Sequence, residues 1–479
     1  MTTNISINNA LPIDHLCAEK LLTTHNEKYH SRAYPFLVRL LQKSREGHLC
    51  IQDKKGEMIE ALSIFLNQEN PPIMRWRNCY YLTKNFSIET SILKNLQRLH
   101  NAPPSKRGKN MHFFNQTAPA LSPHQKEAVC HALNNTVTLI TGGPGSGKTH
   151  LAKTLIDICL SIYATVIFTA PTGRATFRFK NQRIIQKTLH HILGLHPFTL
   201  DVHPLIADFI IVDECSMIDA RLFSLLLSSI ASGSHLILIG DPDQLPPIES
   251  GPIFHNLLQI QEIRRIHLQH NLRSQQDALI SLAQQIQKTP PEQIIQFLAN
   301  SKHACMQWLP FPPQENIISS SIENKMTILT PFHHGPFGTK AYNNWINKNF
   351  PSFARKPIII TKNHHSLKLM NGDIGWKQSF FAYFDHEQTQ QISLSQIPYH
   401  ELAWAISIHK SQGSEFDHVA LFLPPGSEIF GRRLLYTGVT RARYSIKLFA
   451  SQETLHKIIM HEITYLCNLS QRWIQMTSA

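Results

Sequence analysis

From about residue 120 onward, short apolar runs rich in β-branched residues alternate with stretches of helical length. The runs lie at 137–140, 166–168, 209–212 and 236–239, and each gives way to a polar or glycine-containing turn. This alternation predicts a parallel α/β sheet, with ligands bound at the carboxyl ends of its strands. A second series follows at 326–329, 419–422 and 446–449. Between them, at about 354–398, the segments shorten to Pro357-Ile358-Ile359-Ile360, Asp373-Ile374-Gly375-Trp376 and Ile392-Ser393-Leu394. With Asn371-Gly372 as a hairpin turn, this predicts a small β insertion. Residues 1–100 show helical periodicity, for example Phe36, Leu37, Leu40 and Leu41, then a strand-like Leu49-Cys50-Ile51. The polar, basic stretch 101–110 reads as a linker.

The first apolar run leads into Thr141-Gly142-Gly143-Pro144-Gly145-Ser146-Gly147-Lys148-Thr149, and a helical stretch follows at 151–160. Strand, glycine loop and helix in this order, with the G-x-x-x-x-G-K-T spacing, make a phosphate-binding loop. Backbone N–H groups turn inward where glycine has no side chain, and the helix N-terminus adds partial positive charge. Lys148 reaches the β- and γ-phosphates of ATP, and the Thr149 hydroxyl is suited to Mg²⁺.

Further along, Ile210-Ile211-Val212-Asp213-Glu214 is a buried strand ending in two carboxylates. Asp213 at its tip is placed to hold Mg²⁺ through water, and Glu214 to orient or deprotonate an attacking water. Gly240-Asp241-Pro242-Asp243-Gln244-Leu245-Pro246-Pro247 follows another apolar strand, and Gln244 there is suited to sensing a γ-phosphate; the residue types equally permit a proline-rich turn. Two arginines in the second half, Arg273 and Arg441, are suited to a phosphoryl-transfer transition state, although surface ion pairs are the commoner use of arginine. If both reach the nucleotide from a second lobe, hydrolysis opens the cleft between lobes, as a motor requires.

Composition narrows the partners. The 479-residue chain carries a formal net charge of +13, with 28 histidines in addition, which fits a polyanionic partner, nucleic acid first and an anionic membrane second, and equally a merely basic soluble protein. Its eight cysteines form no C-x-x-C pair, which argues against a zinc knuckle or an iron–sulfur cluster and for a reducing compartment. There is no signal-peptide pattern and no apolar run of the roughly 18 residues a membrane span needs, so a cytoplasmic protein without a membrane partner is expected.

Taken in order over residues 118–451, the motifs resemble those of superfamily 1 DNA helicases. Leu121-Ser122-Pro123-His124-Gln125 is similar to the Q motif, whose glutamine, here Gln125, reads the adenine edge. Ala170-Pro171-Thr172-Gly173-Arg174-Ala175 looks like motif Ia, and Lys187-Thr188-Leu189-His190 like the next DNA-contacting segment. Asp213 and Glu214 match motif II, 240–244 motif III, and Arg273 the motif IV arginine. His409-Lys410-Ser411-Gln412-Gly413-Ser414-Glu415-Phe416 matches motif V, and 436–443 motif VI with Arg441 in the finger position. The resemblance therefore implies Lys148, Glu214, Gln244, Arg273 and Arg441 as catalytic. Gln125, Gly142, Gly143, Pro144, Gly145, Ser146, Gly147, Lys148, Thr149, Gly413 and Glu415 would bind nucleotide, with Thr149 and Asp213 on Mg²⁺. Pro171, Thr172, Arg174, His190, His409 and Ser411 would contact DNA, through backbone phosphates and stacking rather than base reading.

Within the superfamily, Gly47-His48-Leu49-Cys50, Gly335-Pro336-Phe337-Gly338 and 371–375 are similar to the RecD family, the alpha-subunit type of exodeoxyribonuclease V. That resemblance implies an α/β chain with two RecA-like P-loop NTPase domains, at 116–262 and 263–479. It also implies a small SH3-like β insertion at about 354–398 and a mainly helical, partner-docking N-terminal domain with its linker at 1–115. It implies a 5′→3′ translocase on single-stranded DNA and DNA ends, joined to RecB-like and RecC-like subunits that supply the nuclease. A stand-alone 5′→3′ helicase and a non-hydrolysing DNA-binding subunit are the competing expectations. Two features depart from the family: Ala405-Ile406-Ser407 at the entry to motif V, where many relatives have threonine, and the short interval 194–208, where a strand-separating hairpin would lie.

Overall fold

The computed structural model of the chain describes residues 10–23, 30–104, 121–176, 179, 181–195, 202–269, 277–301, 303–351, 353–367, 369–385 and 389–477. Near the N-terminus, β1 (Cys50–Gln52), β2 (Ile73–Trp76) and β3 (Cys79–Leu82) form an antiparallel sheet in the order β1-β3-β2. The helix His30–Arg45 packs beside it, and the helix Thr83–Asn101 leads away from β3. The strand-like 49–51 of the sequence overlaps β1; β2 and β3 have no counterpart in the sequence reading, each being only four residues long and β2 carrying an exposed Arg75 within it.

The first of two parallel sheets contains β4 (Val137–Thr141), β5 (Val166–Ala170), β6 (Ile185–Thr188), β7 (Phe209–Val212), β8 (His235–Gly240) and β9 (Arg265–His267). Their order is β6-β5-β7-β8-β4-β9. β4, β5, β7 and β8 are buried along their whole length, which is why they read as unbroken apolar runs. β9 pairs with β4, so this sheet extends beyond residue 263, where the sequence reading began the second lobe.

The second parallel sheet draws on β10 (Met306–Leu309) and β11 (Thr327–Thr330). The chain then leaves it for an antiparallel sheet of β12 (Lys356–Ile360), β13 (Ile374–Gln378), β14 (Phe381–Asp385), β15 (Thr389–Ser393) and β16 (His400–Leu402), in the order β15-β14-β13-β12-β16. It returns through β17 (Ala405–Ser407), β18 (Phe416–Phe422) and β19 (Ala442–Phe449), giving the order β10-β19-β18-β11-β17. Asn371-Gly372 does not make a two-residue hairpin. It lies in the longer β12–β13 connection, which carries its own bridge between His364 and Leu369 and a helical turn at His365–Leu367. The tight turn is between β13 and β14, where Ser379 takes φ +53°.

After the helix Gln452–Met460 at the end of the second lobe, residues 461–468 cross back to the N-terminal side. Leu49 N donates to Leu466 O at 2.9 Å, and Leu466 N donates to His48 Nδ1 at 3.1 Å. The helix Leu469–Thr477 then buries Leu469 and Trp473 in one core with Leu93, Leu96, Phe223 and Leu226. Arg472 donates to Glu89 Oε1 at 2.9 Å and to Thr90 Oγ1 at 2.6 Å, and its guanidinium lies 4.2 Å from the Phe86 ring centre. Glu89 is fully buried and also accepts from Tyr81 Oη (3.2 Å) and Asn468 N (3.2 Å). Burial pushes the Glu89 carboxyl up, and Arg472 is the main force opposing it.

Two stability measurements probe this return. Arg472→Met leaves a carboxylate buried without its cation and should lower the unfolding free energy by about 3–5 kcal/mol in denaturant titrations, with Glu89→Gln added to it restoring part of the loss. A single-variant cost below about 1 kcal/mol would contradict the pairing. His48 accepts from Leu466 only while neutral, and burial, helped by Lys43, depresses its pKa from 6.5 to about 4. Because the folded value lies below the unfolded one, its stabilisation is complete above pH 6.5 and is lost as the pH falls towards 4. Unfolding midpoints should drop across that window, and His48→Gln, which keeps an acceptor that does not titrate, should flatten the drop.

Candidate nucleotide and nucleic-acid site

The helix Lys148–Ser161 opens directly from the glycine loop, with Gly147 as its cap at φ +84°. A side chain at Gly147 would meet two obstacles, the left-handed backbone and the Gln125 amide nitrogen lying against it. Ser146 Oγ donates to Gly143 O at 2.8 Å and closes the loop. Lys148 Nζ donates to Gly142 O and to Gly143 O (2.7 Å), so the ammonium lies within the loop. Gln125 serves its own helix, Pro123–Asn134, as well: its Oε1 accepts from Ser122 N at 3.0 Å, and Ser122 Oγ accepts from Gln125 N at 3.3 Å. The oxygen of Gln125 is thus engaged in the cap, and its nitrogen faces the loop.

β7 lies one strand away from β4, with β8 between them, so its tip is close to the loop. Asp213 and Glu214 are both buried there, and Glu214 N donates to Asp213 Oδ1 at 2.8 Å. Glu214 takes φ +53°, a left-handed conformation that costs a glutamate on the order of 1–3 kcal/mol. A glycine would adopt it freely, so the chain retains a carboxylate here at an energetic cost.

The turn after β8 is where the two lobes join. Asp241 is 1% exposed and accepts from Asp243 N (3.1 Å), Gln244 Nε2 (3.2 Å) and Tyr436 Oη (2.9 Å). Leu245 N donates to Thr437 Oγ1, and Gln412 Nε2 donates to Leu245 O, both at 2.8 Å. Tyr436 and Thr437 lie on the second-lobe helix Gly431–Val439. Beside this junction a cleft of about 170 Å³ has Pro144 and Gly145 on one wall and Glu415, Thr440 and Arg443 on the other. The helix Asp277–Lys288 contributes Leu279, Ile280 and Ala283 to the lining.

Arg441 is buried, and its guanidinium donates to Thr437 O, Ser414 O and Thr440 Oγ1, each at 3.1 Å. It is engaged within its own lobe in this form. Arg443, not singled out from the sequence, reaches the cleft wall and pairs with Glu415 at 3.1 Å. Arg273 lies outside the described residues.

The residues marked for DNA divide. Pro171 and Thr172 are half-buried after β5, Arg174 is exposed, and His190 is exposed after β6. Gly413 backs onto the Thr172 hydroxyl, so motifs Ia and V meet across the lobes. His409 is half-buried against the Phe430 ring, 5.6 Å between centres, and burial depresses its pKa. Ser411 is a correction: it is fully buried, and its hydroxyl donates to Ile408 O at 2.7 Å, so it holds the loop and does not face a groove.

A phosphate loop on one parallel sheet, closed by a second parallel sheet, defines a two-lobed P-loop NTPase. Residues 120–305 match the family described as AAA domain, and residues 402–446 the UvrD-like helicase C-terminal domain. RecBCD enzyme subunit RecD of Buchnera aphidicola (subsp. Acyrthosiphon pisum) is 26% identical over 93% of this chain and 90% of its own length. The Haemophilus influenzae protein of the same name is 27% identical over 69% of each chain. The ATP-dependent RecD2 DNA helicase of Deinococcus radiodurans is 24% identical over 76% of this chain and 54% of its own. A Pif1 helicase structure, from work on unwinding of forked double-stranded DNA, superposes with a TM-score of 0.50 at 17% identity, covering 75% of this chain and 97% of that one. By these matches the chain is similar to RecD-type superfamily 1 helicases, and the Pif1 superposition bears on its fold alone.

Proposed function

We propose that the chain is an ATP-dependent 5′→3′ translocase and helicase on single-stranded DNA. In this reading it is the RecD motor of a RecBCD-type exodeoxyribonuclease V acting in double-strand-break repair and recombination. The observation that carries the ATPase reading is the cleft, where the phosphate loop at Pro144 and Gly145 faces Thr440 and Arg443 of the other lobe. Relatives named as RecBCD subunits support the subunit role, with RecB-like and RecC-like partners and a partner's nuclease.

ATP fits the donor set of the loop: inward backbone N–H groups, the Lys148 ammonium and the N-terminus of a 14-residue helix. Thr149 and Asp213 offer two hard oxygen ligands, the kind Mg²⁺ takes alongside phosphate oxygens and water. Bound there, the ion neutralises charge building on the β- and γ-phosphates. Lys148 exchanges the carbonyls of Gly142 and Gly143 for phosphate oxygens. Glu214 takes a proton from the attacking water as its oxygen bonds to the γ-phosphorus and the bond to the ADP oxygen breaks. Arg441, released from its own lobe's carbonyls on closure, and Arg273 place positive charge on the equatorial oxygens. Thr172, Arg174, His190 and His409 hold the strand while the lobes move. Residues 1–115 serve partner docking, and the reading places the protein in the cytoplasm.

The test is ATP hydrolysis by the purified chain with and without single-stranded DNA. Wild type should be stimulated strongly. Glu214→Gln should lose about 10²–10⁴-fold in kcat, and Lys148→Gln should lose nucleotide binding as well. Undiminished hydrolysis by either variant would remove the assignment.

A further inference from the structure

Tyr436 and Asp241 come from different lobes and have no role in the chemistry above. Asp241 is almost wholly buried, and its three hydrogen-bond donors are all neutral: Asp243 N, Gln244 Nε2 and Tyr436 Oη. A carboxylate only accepts, so Gln244 must present its NH₂ group to it. This fixes the amide: its nitrogen is committed to Asp241, and its oxygen, buried and without a partner among the described residues, is the acceptor left over. Tyr436 is 2% exposed, and burial, reinforced by Asp241, raises its pKa far above the usual value, so its hydroxyl stays a donor.

We propose that Tyr436 is a positioning residue for ATP hydrolysis, acting through Asp241 to hold Gln244 with its amide oxygen toward the attacking water. An amide oxygen accepts a hydrogen bond from water and turns a lone pair of the water oxygen toward phosphorus. In the opposite orientation the NH₂ group would compete for that lone pair. Because Tyr436 belongs to the second lobe, the orientation is set only while the lobes are joined at this turn, so hydrolysis requires both lobes in register. Leu245 N on Thr437 Oγ1 and Gln412 on Leu245 O keep the same turn in that register. The inference rests on the ATPase reading above.

Tyr436→Phe deletes one oxygen and keeps the buried ring. With saturating single-stranded DNA, its kcat should fall about 10- to 100-fold, the worth of one buried hydrogen bond to a charged group, while the KM for ATP stays within about twofold. In a Gln244→Ala background the same substitution should change kcat by less than about twofold, because the group it positions is gone. A purely structural role would instead multiply through that background and shift the melting temperature. Asp241→Asn, which lets the Gln244 amide turn over, should reproduce the loss and its dependence on Gln244 even if Tyr436→Phe fails to fold. Wild-type rates in Tyr436→Phe, or full multiplication with Gln244→Ala, would overturn the relay and leave the ATPase reading intact. A wild-type chain without DNA-stimulated hydrolysis would instead overturn the ATPase reading, and the relay with it.

Discussion

Six residues, Gly240 to Leu245, carry the connection between the two parallel sheets. Among the described residues four hydrogen bonds join this turn to the second lobe: Tyr436 Oη donates to Asp241, Gln412 Nε2 to Leu245 O and Gln287 Nε2 to Asp243, while Leu245 N donates to Thr437 Oγ1, and all but the Gln287 bond are buried. In such surroundings each bond is stronger than in water and costly to leave unmade. The turn is therefore a register mark that ties the lobes together beside the cleft at Pro144 and Gly145.

The sequence disclosed what is contiguous. The run 209–212 coincides with β7 because a central parallel strand is apolar on both faces. β6 escaped notice because it is an edge strand: Ile185 is half exposed, and Gln186 and Lys187 interrupt the run. β9 is only three residues long, with Arg265 and His267 exposed, and pairing with β4 defines it more than its own composition does. The site divides in the same way. The glycine loop and the Asp213-Glu214 pair could be read because their chemistry lies in neighbouring residues. The Tyr436–Asp241 bond spans 195 positions, so neither residue type announces the other. Ser411 read as a surface hydroxyl because nothing in its own segment shows that Ile408 O captures it.

The C-terminal return adds a second tie between the lobes. The chain leaves the second lobe at Met460 and ends with Trp473 in the core that also holds Phe223 and Leu226 of the first. Glu89 and Arg472 secure it with a buried ion pair, which by itself adds little stability but is costly to break from one side. Two lobes joined at the Gly240–Leu245 turn and again at this helix can hinge about the cleft, but they cannot drift apart. That is the mechanical condition for turning a change at a phosphate into displacement of a bound strand.

The cations of the site show where closure draws its free energy. Lys148 and Arg441 are both held on neutral carbonyls of their own lobes, at Gly142 and Gly143, and at Thr437 and Ser414. Hydrogen bonds to charged oxygens are roughly twice as strong as those to neutral ones. In the proposed reading a triphosphate gains from drawing both side chains off their carbonyls, and it engages both only with the lobes together. On that reading, loss of the γ-phosphate returns Arg441 to its carbonyls and the gain is lost. Glu214 needs no such rearrangement, since its strained backbone already fixes it beside Asp213. If Glu214 is the base and the cations bind phosphate, as proposed, the acid–base side of the site is set in advance and the electrostatic side waits for the nucleotide.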